Sequence, residues 1–263
     1  VKRRTFLLIP LAAFAQSPAL VPGFHLLYQL RFADARAVFL AWQHDHPTDP
    51  MGFIAEAASH LFEEFEQHGV LTTEFFLDDD LLLGGIKGSG DPARTRAFEH
   101  ANDRARGLSN SKDANSLLAL TLAAGMAADY AALITKRQIE SIRKIREAED
   151  FGRRLLKVAP SVTDGYVALG AANYILACLP SYKRALLWFG GMQGDRKRGM
   201  EQLAEAARNG LYLAPYAKIL LALASVREKR IGEARRLMNE LTIEFPESPL
   251  FARERAKIDR LRE

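Results

Sequence analysis

The feature that most constrains this chain is a recurring spacing. Ala35, Phe39, Trp42 and Pro47 recur as Ala148, Gly152, Leu155 and Pro160, and again as Ala234, Met238, Leu241 and Pro246. In each set the proline stands twelve residues after the alanine, and an apolar residue stands seven after it. Gly199, Leu203 and Ala206 repeat the pattern without the proline, 35 residues before Ala234. Offsets of four and seven place these residues on one face of a helix. A small residue on that face lets another helix approach closely, and the larger ones fill the gap beside it. Proline then ends the helix, because it donates no N–H and restricts its predecessor.

A second set of positions holds a fixed phase to the first. Tyr166-x2-Leu169-Gly170-x2-Asn173 follows Pro160, Leu221-Ala222 precedes Ala234, and Phe53, Glu56 and Ala57 follow Pro47. Paired helices at this period are similar to the tetratricopeptide repeat (TPR), a unit of about 34 residues with a signature in each helix. The resemblance covers about half of the chain. Gly125-x3-Asp129-Tyr130-x-Ala132-Leu133, Gly194-Asp195-x3-Gly199, Leu213-Ala214-Pro215-Tyr216-Ala217 and Phe245-Pro246-x2-Pro249-Leu250 extend it to exported bacterial TPR-like proteins. It implies a fold and no particular reaction.

The expected fold is therefore all-α: TPR-like antiparallel hairpins forming an α-solenoid, with two non-repeat insertions. Between the repeats, 93–108 reads as a charged amphipathic helix, 115–135 as a long alanine-rich buried helix, and 138–158 as its partner. A capping helix is expected over 249–262. The first insertion, 70–91, carries Phe75-Phe76, Asp78-Asp79-Asp80 and several glycines, and reads as a long loop or two short turns. The second, 179–195, carries Pro180, Trp188, Phe189 and Gly190-Gly191. No strand pattern stands out.

The N-terminus reads differently. Lys2, Arg3 and Arg4 precede an apolar run, and Ala13-Phe14-Ala15 offers a small-x-small cleavage pattern before Gln16. This is the layout of a secretory signal peptide, and the run is too short to span a membrane. The expected division is a signal peptide over 1–15 and a single helical domain over 16–263. The expected location is periplasmic or secreted. No cysteine follows the cleavage pattern, so a lipoprotein anchor is not expected, nor a transmembrane segment in the mature chain. Arg3-Arg4-x-Phe6-Leu7 resembles a twin-arginine motif, and the export route stays open.

Residues 1–15 hold three of the 36 bases and none of the 32 acids, so residues 16–263 carry a balance of only +1. Nucleic-acid binding loses its electrostatic support. The remaining charge is polarised: 12 acids and three bases over 16–92, then 20 acids and 30 bases over 93–263. Two faces satisfying each other within one domain explain this most simply, and charge-driven self-association is the alternative.

The chemistry-bearing residues point away from catalysis. His44-Asp45-His46 with Asp49 falls where a helix ends and lacks the convergent set a metal needs. Asp78-Asp79-Asp80 lacks calcium-loop spacing and reads as a helix cap. Gly85-Ile86-Lys87-Gly88-Ser89 has its letters in the wrong order for a phosphate loop. The lone cysteine, Cys178, reads as a buried, inert thiol. No cofactor, metal or catalytic residue is expected. TPR resemblance directs attention to the groove positions of the first helix of each repeat: Met51, Ile54, Ala58 and Leu61; Asp164, Val167, Ala171 and Tyr174; Tyr216, Ile219, Leu223 and Val226. Aliphatic residues stand where chaperone-binding TPR domains carry Lys and Asn, which disfavours that partner class. The contact residues expected for a protein or peptide partner, or an apolar ligand, are Tyr174, Trp188, Tyr216, Ile219 and Leu223. The apolar groove is either open or filled by the chain itself, with 186–189 as the expected plug. The rival reading is an enzyme or small-ligand protein with a pocket between the two insertions.

Overall fold

The computed structural model describes residues 16–178 and 194–261, with the side chains of Leu82 and Leu83 left aside. The signal-peptide reading of 1–15 and the plug at 186–189, including Trp188, lie outside the described residues.

The described elements are helical. After a 3-10 turn at Pro18–Leu20 come α1 (Val21–Tyr28), α2 (Phe32–Asp45), α3 (Pro50–Gln67), α4 (Thr73–Leu77), α5 (Asp79–Gly84) and α6 (Pro92–Leu108). Then follow α7 (Ala114–Asp129) with a π-turn at Tyr130–Ile134, α8 (Gln138–Val158) and α9 (Gly165–Cys178). The described chain closes with α10 (Arg196–Asn209), α11 (Ala214–Arg227), α12 (Ile231–Glu244) and α13 (Pro249–Ile258). Each helix packs on the next as successive hairpins: α1 with α2, α3 with α6, α7 with α8, α9 with α10, and α11 with α12. The first helices also touch one another along the series, α3 to α7, α7 to α9 and α9 to α11. They form an inner layer, and the second helices form an outer one. This is a TPR-like solenoid.

The recurring spacing explains the packing. Ala35, Phe39, Leu155, Ala206, Ala234 and Leu241 are fully buried, each on the inward face of an outer helix. At the α9–α10 crossing, a Cβ on Gly170 would lie 2.9 Å from the Gly199 carbonyl oxygen, and one on Gly199 would lie 2.8 Å from that of Gly170. Only glycine at both positions permits that approach. Helix starts are capped as their sequences suggest. Asp49, Asp78, Asp91, Asp113 and Asp195 each accept backbone N–H bonds in the first turn of the following helix.

Two expectations are corrected. The stretch 70–91, read as loop or turns, contains α4 and α5, and α4 packs on α11. Cys178, read as buried, is only half-buried. The segment Ala114–Ile134 has the length and mean hydropathy, 1.8, of a membrane span, but 67% of it is buried inside the protein, as a core helix would be.

The solenoid curls until its ends meet. Tyr28 donates to the Tyr212 carbonyl at 2.8 Å, and Ser248 donates to the Tyr28 carbonyl at 2.8 Å. Phe24 stacks on Tyr212 with centroids 4.7 Å apart, and Tyr28 and His25 pack on Phe245. Further along the seam, buried Glu254 accepts the Thr73 N–H at 2.7 Å, and Glu66–Arg253, Glu74–Lys257 and Asp79–Arg227 form ion pairs. The acidic N-terminal part and the basic C-terminal part thus meet within one chain.

Candidate functional site on the inner helical layer

Two polar arrangements on the inner helices deserve separate description. The first lies on the rim formed by the turns that lead into α9, α11 and α13. Asp164 is buried there and accepts the N–H groups of Leu211 (2.9 Å), Tyr212 (3.0 Å) and Leu213 (2.6 Å), together with the Gln16 amide (2.6 Å). The Tyr212 hydroxyl donates to the Ser17 carbonyl at 2.8 Å. Four donors converging on one carboxylate satisfy its charge and tie the turns before α9 and α11 to the leading segment, which is a structural task.

The second lies on α7. This helix is covered by α8, α3, α6 and α9, and three residues on its remaining face, Leu122, Gly125 and Asp129, are only partly buried or open. A Cβ on Gly125 would meet nothing within 4 Å among the described residues. Asp129, one turn on, has no hydrogen bond or ion pair among the described residues. Burial pushes its carboxyl up to about 7, because no opposite charge or donor offsets lost hydration. Tyr216 of α11 stands close enough that Asp129 adds to the effect of burial in raising its hydroxyl. The Tyr216 ring meets Phe62 of α3 edge-on, centroids 5.6 Å apart. Phe62 and Tyr216 thus meet on the inner layer, and the Asp129 charge acts on the Tyr216 hydroxyl.

The π-turn follows directly after Asp129. Its wider winding frees the Leu133 carbonyl, which accepts the Ile86 N–H at 2.8 Å. Gly85 makes this possible: its φ is 71°, and a Cβ there would lie 2.4 Å from the Leu133 oxygen. Single π-turns within helices are frequent beside functional positions.

The expected contact residues fall in different places. Tyr216 and Ile219 are partly buried on the inner face of α11, and Leu223 is buried one turn further on. Tyr174 is buried, and its hydroxyl reaches the Ala224 carbonyl at 3.2 Å and Glu228 at 3.1 Å. Burial first, then the neighbouring Cys178 and Glu228, hold that hydroxyl well above its ordinary range. Met51, Ile54, Ala58 and Leu61 of α3 are all buried. Part of the expected groove is closed by the chain itself, since Tyr28, Leu30, Leu71 and Leu77 pack against the same C-terminal core that Ile219 and Leu220 border. Asp129 carried no signal as a site in the sequence, although the sequence does place it four residues after Gly125 on a helix of otherwise uncharged residues.

Where the sequence offers His44-Asp45-His46 with Asp49, Asp49 caps α3 and accepts from Trp42 and Asn115, while Trp42 stacks on His46. Among the described residues, no group of three or more His, Cys, Asp or Glu gathers in metal-holding geometry.

Comparison with known proteins agrees with the geometry over the C-terminal repeats. No curated protein and no solved structure matches the chain. The family described as Iml2/Tetratricopeptide repeat protein 39 matches residues 162–263, the stretch from the turn before α9 through α13. Across that stretch the chain is similar to a TPR family, and the hairpins preceding it continue the same architecture.

Proposed function

We propose that this protein is an exported, non-enzymatic interaction module that takes a protein, a peptide or an apolar ligand against its inner helical layer. One observation carries the reading: the apolar side chains Phe62, Leu122, Tyr216, Ile219 and Leu220 remain only partly buried at the edge of the core on inner helices. Apolar surface left open in this way is usually met by a partner. TPR-like repeats present such surfaces along their inner face. The basic and apolar N-terminal segment supports export, with Gln16 as the first residue after cleavage.

A photoreactive side chain in place of Tyr216 should cross-link the partner in the exported fraction, and Ile219→Glu should abolish that product while the helical spectrum is unchanged. Cross-linking that survives Ile219→Glu would remove the inner layer from the reading. Mass spectrometry of the chain from that fraction should show a start at Gln16. Recovery only with residues 1–15 attached, inside the cell, would overturn the export.

A further inference from the structure

We propose that the edge of the solenoid formed by its C-terminal hairpin tips docks on an anionic phospholipid surface, with Ile139 entering the lipid and the bases around it meeting the headgroups. This goes beyond the inner layer, which stays free for its own partner.

The hairpins place these residues together. The pairs α7–α8, α9–α10 and α11–α12 pack side by side, so the turns within them lie at one end of the stack. Contacts between neighbours fix that placement. Lys136 donates to the Gly88 carbonyl at 3.5 Å, which brings exposed Lys87 to the first tip. Gly194, just before α10, lies against the backbone of Ala177 at the end of α9. Arg196 of α10 pairs with Glu228 of the third tip at 3.1 Å. Over 136–146, 194–198 and 228–230 the chain carries ten bases and three acids. Each of those acids is engaged: Glu140 by Arg137 and Arg143, Asp195 as the cap of α10, and Glu228 by Arg196 and the Tyr174 hydroxyl. Glu201 and Glu233 reach Lys197 and Arg230 from within the same helices. A positive excess therefore remains along the edge, and Lys197 is 89% exposed.

Ile139 stands among these charges and is 87% exposed, the most of any large apolar side chain among the described residues. An aliphatic side chain flanked by cations suits the boundary between headgroups and acyl chains, where each meets its own solvent. An acidic protein segment would answer the bases and leave Ile139 in water. The backbone also turns the lysines outward. Lys136 and Lys229 hold the same place in their turns, each with a φ of 58°, where glycine would be less strained.

Flotation with vesicles of phosphatidylcholine, or of its equal mixture with phosphatidylglycerol, tests the proposal. The purified chain is used with and without residues 1–15, because that basic and apolar stretch would hold lipid by itself. Both forms should float with the mixed vesicles, and molar salt should release the form lacking 1–15. Lys136→Gly with Lys229→Gly removes two bases and suits the left-handed turns, so the fold should hold while binding falls about twentyfold, at about fivefold per base. Ile139→Ser should lower binding by about tenfold with an unchanged urea midpoint. Binding that requires residues 1–15, or that is as strong on phosphatidylcholine alone, overturns the proposal. A fall in the lysine variant with none in Ile139→Ser assigns the edge to an acidic polymer instead and overturns it as well. Cross-linking at Tyr216 does not depend on any of these results, so the two readings fail separately.

Discussion

The rim holds a buried aspartate and the inner wall a half-buried one, and the two could hardly be treated more differently. Asp164 on the rim accepts three backbone N–H groups and one side-chain amide. Asp129 on the wall accepts nothing among the described residues. Evolution or chance can leave a carboxyl exposed at little cost, but enclosing one without a partner costs stability. A saturated carboxylate fixes a shape, whereas the same residue type in the other region stands without a partner among the described residues.

Four perturbations would break or sharpen this contrast. The largest belongs to the rim. Asp164→Ala leaves three N–H groups and the Gln16 amide without their acceptor, and should cost about 3–5 kcal/mol in urea unfolding. A loss under 1 kcal/mol, on the same scale of single hydrogen bonds, would show that the rim is not what fastens the turns.

The wall should respond with the opposite sign. An unfolded aspartate releases its proton near pH 4, whereas folded Asp129 holds it to about 7. Between those values the folded state binds the extra proton, so stability falls as pH rises across the window and is flat above it. Asp129→Asn should remove that decline, stabilising the chain by roughly 2–4 kcal/mol at pH 8 and leaving it nearly unchanged at pH 4, the lower figure reflecting the water that still reaches the group. Equal effects at both pH values would mean that the carboxyl is not strained by its surroundings.

The third test weakens the closure itself. Tyr28→Phe deletes the bond to the Tyr212 carbonyl and should cost about 1 kcal/mol, seen as a lower urea midpoint. The smallest effect is expected at the seam's edge. Glu74→Gln breaks a pair with Lys257 whose carboxylate side is 62% exposed, and should change stability by under about 0.5 kcal/mol, shrinking further in salt. A larger loss would make the seam's charges, rather than its buried contacts, the fastening.

The hairpins were legible because TPR packing is written locally. Ala148, Gly152 and Leu155 report a buried face by their spacing alone, and Gly170 and Gly199 report a close crossing. Helix α5 was signalled only by its cap at Asp78, and α4 not at all, because five or six residues are too few to show a period. The π-turn has no signature either, and the bond from Ile86 to the Leu133 carbonyl beside it spans 47 residues of sequence. Closure was hidden for the same reason: Tyr28 and Tyr212 are 184 residues apart. The site divides likewise. Tyr216 and Ile219 were readable from repeat phase, whereas Asp129 becomes conspicuous only once the structure shows no partner for its charge among the described residues.

An open solenoid behaves as a row of units, each stabilised by its neighbours, so it can fray from either end and unfold in stages. Joining residues 17–28 to the turns at 212 and 245–248 removes that freedom, because no terminal hairpin can now loosen without breaking contacts at the opposite end. Such a ring should unfold in one concerted step, with amide exchange in α2 and in α12 reporting the same free energy. It should also fold more slowly than its local helices would allow, since the decisive contacts are the most distant in the sequence. Deleting residues 16–28 would restore the row, and unfolding should then separate into phases.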